Sequence, residues 1–177
     1  MTNTNVFNQS NGPIFTQLTN TFTAPGIGAA PDTGAAAAGS FFALTTNNTL
    51  IPSNQNLLLQ ILNAAGSGRT IRIASLSGGT TAAATLVLYS GGTVTVGSTP
   101  VPVNTLLGNA NTSIVTTRQN TGTLGGTFTS LLSIPLTAGM YALDLNGSIV
   151  VPPGQSLSIS LGIGNQTGAI NLFWWEF

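Results

Sequence analysis

Cysteine, histidine and lysine are all missing from this sequence of 177 residues, and charge of either sign is scarce. Arg69, Arg72 and Arg118 are balanced by Asp32, Asp144 and Glu176, so only 3% of the chain is charged. An ordinary soluble protein has about 25%. Each absence excludes something. Without His or Cys, the common zinc, haem, iron–sulfur, thiol and Ser-His-Asp chemistries lose their essential groups. Three scattered arginines cannot supply the phosphate contacts on which nucleic-acid affinity depends. Nor can they form a polybasic membrane surface. No uninterrupted run of about 18 apolar residues occurs, so no spanning helix and no membrane insertion are expected. The first residues, Met1 to Phe7, show neither a basic nor an apolar export region, so no signal peptide is expected. The aromatic end Phe173-Trp174-Trp175-Glu176-Phe177 would suit an outer-membrane barrel, but such a barrel needs that signal.

What remains is 42% hydrophobic residues, 22 glycines and an abundance of Thr, Ser and Asn. That is too apolar for a disordered chain. The length suits one domain with an appendage. Neutral polar side chains hydrogen-bond well and do not repel one another, so the composition is that of a protein meant to associate.

Residues 1–40 differ from the rest and read as an extended N-terminal arm. Asn and Thr dominate, with isolated apolar anchors at Phe7, Ile14, Phe15, Leu18 and Phe22. Pro25, Gly26, Gly28, Pro31 and Gly34 forbid a long regular element, and Ala35 to Ala38 alone are too few for a stable helix. Spaced aromatics on a polar strip suit an arm laid across a neighbouring subunit. Residues 41–177 read as a β-domain, with short runs of Val, Ile, Thr, Leu and aromatics between Gly, Pro, Asn and Ser. Strands are expected over 41–45, 56–62, 70–76, 84–89, 93–96, 113–117, 128–136, 140–145, 148–151, 156–161 and 169–176. Asn146-Gly147 predicts a hairpin between two of them. Strands at such spacing, with no helical period, mean a sandwich or barrel. Alternation assigns Leu57, Leu59, Ile71, Ile73, Leu86, Leu88, Leu143, Ile149, Leu157, Ile159 and Leu172 to the core.

Few motifs offer chemistry. Asn63 to Thr70 approaches a phosphate-binding loop, but Asn63 and Arg69 stand where Gly and Lys are required. The alternating segment after it reads as a strand, not the helix such a loop must open. Asp144 and Glu176 are the only carboxylate pair on the β-domain, and Asp144 lies on the face opposite Tyr141, Leu143 and Leu145. A solvated Asp144, or one paired with an arginine, is expected rather than a catalytic one. No catalytic residue, metal site or cofactor is expected. Trp174 and Trp175 must face opposite sides of a strand. Both can be buried, one by the opposing sheet and one by a loop; alternatively the outward ring anchors an interface or stacks on a sugar.

The stretch Leu57 to Ile73, continuing to Thr85-Leu86-Val87-Leu88-Tyr89, resembles a pattern in the structural proteins of tailed-phage particles. So does Leu145-Asn146-Gly147-Ser148 through Pro152-Pro153-Gly154 to Ile159, closed by Asn171 to Glu176. Those proteins are small β-sandwich subunits of capsids, tails or fibres. Similar sequences occur in bacterial surface proteins, including those of spore-formers. The resemblance implies an all-β, antiparallel, jelly-roll-like β-sandwich acting as a non-enzymatic structural subunit of a virion, a capsid decoration or a tail or fibre component. Its partners would be itself, as a homo-oligomer, and other particle proteins. Phe7, Ile14, Phe15, Leu18 and Phe22 of the arm, with Trp174 and Trp175 of the last strand, are the expected assembly residues. The alternative is a subunit of a bacterial extracellular or spore-surface fibre. A further alternative is a glycan- or ice-binding module, although Thr-x-Thr rungs such as Thr93-Val94-Thr95 do not recur at the fixed period that ice binding favours.

Overall fold

In a computed structural model the described residues are 31–177, together with the backbone of two short strands that pair antiparallel, β1 (Asn8–Gln9) and β2 (Gly12–Pro13). A helix, α1 (Pro31–Ala37), precedes the strands β3 (Phe41–Thr45), β4 (Thr49–Ile51), β5 (Asn56–Asn63), β6 (Ile71–Thr80) and β7 (Ala84–Thr93). Then come β8 (Val103–Asn104), β9 (Val115–Gly122), β10 (Gly125–Leu136), β11 (Gly139–Val151), β12 (Ser156–Gly162) and β13 (Gln166–Glu176). One sheet runs β11-β6-β13-β3-β8, with β4 also on β13; the other runs β10-β7-β12-β5-β9. All pairings are antiparallel. Setting aside β4, β8 and β9, the order β3-β13-β6-β11 against β5-β12-β7-β10 is that of a jelly roll. The expected all-β, jelly-roll-like sandwich is what the chain forms.

Alternation builds the core. On β13 the inward residues are Gln166, Gly168, Ile170, Leu172 and Trp174, all buried. On β12 they are Leu157, Ile159 and Leu161, facing Leu57, Leu59 and Ile61 of β5 in register. Nine of the eleven core positions read from the sequence are fully buried; Leu143 and Ile149, on the edge strand β11, are only partly so. The break in parity from Ile73 to Leu76 comes from a bulge. Phe173 pairs with Ser75 and Trp174 with Ile73, which leaves Ala74 extra. Between β11 and β12, Pro153 and the positive φ of Gly154 (81°) make a turn closed by Gln155 N–H to Pro152 O at 3.1 Å.

Three expectations need correction. Asn146-Gly147 is not a hairpin turn. Segments 140–145 and 148–151 belong to one strand that pairs with β6 on both sides of an unpaired stretch, the register shifting between Asp144, opposite Ser75, and Ile149, opposite Ile73. The positive φ values of Asn146 (48°) and Gly147 (75°) are used for a bulge. The same two residues suit either device, and the partner strand decides. Secondly, 93–96 is not a separate strand: β7 runs on through Gly91 and Gly92, then bends so that Val94 packs on Leu58 and Leu124 over the outer face of its sheet. Thirdly, the alanine run does belong to a helix. It starts at Pro31, where the missing N–H costs nothing, and ends at Ala37; Gly39 (φ 67°) turns the chain just beyond it, with Ser40 N–H on Ala35 O at 2.9 Å. The helix rests on β3 and β13, and that contact compensates for its shortness.

The segment between β7 and β10 supplies one strand to each sheet. β8 covers the edge of β3, and β9 pairs along the whole of β5. Its sequence, Thr116-Thr117-Arg118-Gln119-Asn120-Thr121, is polar enough to read as a loop beyond Thr117. Pairing with β5 overrides that local preference.

Candidate association surface

The charged groups can be followed one by one. Glu176 is buried at the end of β13, where its carboxylate accepts from Ser113 Oγ (2.5 Å), Ile114 N–H (3.2 Å) and Trp174 Nε1–H (3.2 Å). Arg69 Nη1 stands 3.6 Å from its other oxygen, the one ion pair among the described residues. These contacts tie three distant parts of the chain together and leave the carboxylate no free face for chemistry. Arg72 donates to Gly147 O at 3.1 Å and lies over the Phe177 ring, 5.3 Å from its centre. Asp144 is exposed and has no arginine partner. Arg118, on β9, is exposed too. No group of three or more acidic residues that could hold a metal occurs among the described residues. The turn from Ala64 to Thr70 leads into β6 and not a helix, so the phosphate-loop spacing has no helix N-terminus behind it.

Trp174 is wholly buried between the sheets, stacked 6.2 Å from Phe42. Trp175 points to the outer face yet keeps only 8% of its surface, because Gly147 and Phe41 cover it. Both rings are therefore buried within the single chain. Phe7, Ile14, Phe15, Leu18 and Phe22 lie outside the described residues.

On the outer face of the first sheet, Phe173, Phe41 and Trp175 form a row of rings, each 6.5 Å from the next. Beside them is a pocket of about 230 Å³ whose polar lining is Asp32, Ser75, Asp144 and Asn146. The sequence could not show this. Asp32 belongs to the arm segment, and Asp144 is distant in the chain from both Asp32 and Phe41.

A second feature lies along β8 and its flanking loops. Val101, Val103 and Leu107 are exposed, Val101 and Leu107 by 80% and 85%. Val101 and Val103 border an apolar cleft of about 150 Å³ completed by Ala43, Leu44 and Phe173. Single exposed aliphatics are ordinary; Val101 and Val103 together beside an apolar cleft make a candidate interaction surface. At the other side of the sandwich the edge strands β10 and β11 leave Leu132, Leu136, Tyr141, Leu143 and Ile149 only partly covered. Neither edge carries a lysine, but Pro135 and register shifts on β10, and Asp144 and a bulge on β11, are guards of other kinds against strand addition. No protein-family model matches the sequence, and no curated protein or solved structure shows detectable similarity to it.

Proposed function

We propose that this chain is a non-enzymatic structural subunit that assembles with copies of itself, as a decoration, tail or fibre component of a virion. The observation that carries the reading is the exposed apolar group Val101, Val103 and Leu107 beside its cleft, on a protein whose surface has almost no charge. Such surfaces meet without the cost of desolvating ions. The fold agrees with the role, since jelly rolls recur in capsid proteins, but they recur in lectins as well. The arm with Phe7, Ile14, Phe15, Leu18 and Phe22 would add apolar contacts on a neighbour at an entropic cost.

The test is light scattering after size exclusion on the full chain over a wide concentration range. A discrete oligomer or a fibre is expected, and a monomer at every concentration would overturn the reading. Antibody labelling of particles and fibres purified from the source then decides between a virion and an extracellular or spore-surface fibre.

A further inference from the structure

We propose that the pocket between Asp32 and Asp144 receives the guanidinium of Arg118 from a second copy of the chain. The inference rests on the self-association reading and specifies one of its contacts.

The charge inventory leads to it. The chain has three cationic and three acidic side chains. Arg69 is paired with Glu176, and Arg72 is held by Gly147 O and the Phe177 ring. That leaves Asp32 and Asp144 without a cation among the described residues. Both line the same pocket, against the row Phe173, Phe41 and Trp175. A pocket bounded by carboxylates and aromatic rings suits a planar guanidinium, which can donate to carboxylates while stacking on a ring. Asn146 and Ser75 add neutral polar groups at the rim.

Arg118 is the one remaining cation. It projects from β9, opposite Gln60 of β5, in the second sheet, whereas the pocket spans α1, β3, β13, β6 and β11 on the outer face of the first. The contact therefore joins two copies. Donor and acceptor are different surfaces, so the interface is head-to-tail and generates a ring or an open filament. With no lysine anywhere in the chain, no other free side-chain cation competes for the site.

The experiment is sedimentation velocity on the full chain and on the exposed-residue variants Arg118→Ala and Asp144→Asn, with circular dichroism to confirm folding. Each variant is expected to weaken self-association by at least about tenfold. Arg118→Lys should recover only part of the loss, because a point charge replaces a planar fork. An equimolar mixture of Arg118→Ala and Asp144→Asn should associate more strongly than either variant alone, since each variant keeps one intact surface for the other. If the unaltered chain assembles and both variants assemble equally well, the Arg118 contact is overturned while self-association stands. If the unaltered chain is a monomer throughout, both fall.

Discussion

Gly147 lies against the indole of Trp175 so closely that a Cβ added to it would stand 2.7 Å from Cζ2. Its φ of 75° is also in the left-handed region. Gly147→Ala therefore meets a steric and a conformational penalty together. It should lower unfolding free energy by about 3 kcal/mol, the sum of a strained φ and overpacking. Gly66→Ala, where nothing stands within 4 Å of the added carbon, is the control and should change stability by less than about 0.5 kcal/mol. Urea denaturation of both variants measures the difference.

Glu176 is a buried carboxylate whose neighbours donate to it from far along the chain. Glu176→Gln keeps the shape and can leave its amide oxygen on Ser113 Oγ, Ile114 N–H and Trp174 Nε1–H, but it then turns an NH2 toward the Ile114 N–H and Arg69 at the other oxygen's position and removes the charge they face. A loss of about 1.5–3 kcal/mol is expected, the range for hydrogen bonds to a charged group. Hydrogen exchange should quicken at the Ile114 amide ahead of global unfolding. Unchanged exchange there would mean the carboxylate is not what holds that loop.

The strands whose inward positions are Leu, Ile or Trp were legible because period-two alternation is a local signal. Alternation alone puts Leu57, Leu59, Ile71, Ile73, Leu86, Leu88, Leu157, Ile159 and Leu172 in the core, where all nine are buried. What escaped depends on partners distant in sequence. Asn146-Gly147 could be read as a hairpin because only the pairing with β6 distinguishes a bulge from a turn. The polar half of β9 has no apolar face to announce it, and β4 and β8 are too short to carry a period. Adjacency alone puts Trp174 and Trp175 on opposite faces, but nothing local to Trp175 shows that Gly147 covers it. The pocket was the least legible feature of all, since its lining comes from five separate elements.

Gln60 and Ser158 fasten the bend after β7 to the outer face of its sheet. Gln60 Nε2 donates to Gly92 O at 2.8 Å and to Ser158 Oγ at 2.9 Å, while Ser158 Oγ donates to Gly91 O at 2.6 Å. Gln60→Ala strips a partner from Gly92 O and Ser158 Oγ and should cost about 1–3 kcal/mol. Replacing both residues, as Gln60→Leu with Ser158→Ala, should cost less than the sum of the single changes, because the two act as one network. A double-mutant cycle by denaturation gives the coupling; strictly additive values would dissolve the network.

Tyr141 gives the fold an alkaline limit. It is largely buried on β11, its hydroxyl donates to Ala169 O at 2.9 Å, and burial raises its pKa well above the ordinary phenol value near 10. Below about pH 10 both the folded and unfolded chains keep the proton, and the contribution to stability is complete. Above it the unfolded chain releases the proton while the folded chain holds it, so the unfolded state gains. Stability must then fall as pH rises, by up to about 1.4 kcal/mol per pH unit from this group. Tyr141→Phe should cost about 1 kcal/mol at neutral pH through the lost hydrogen bond. It should also remove that part of the alkaline slope, so that variant and parent converge and then cross as pH rises beyond 10. Parallel stability curves from pH 8 to 11 would show that Tyr141 does not set the limit, and the loss would then have to come from another group.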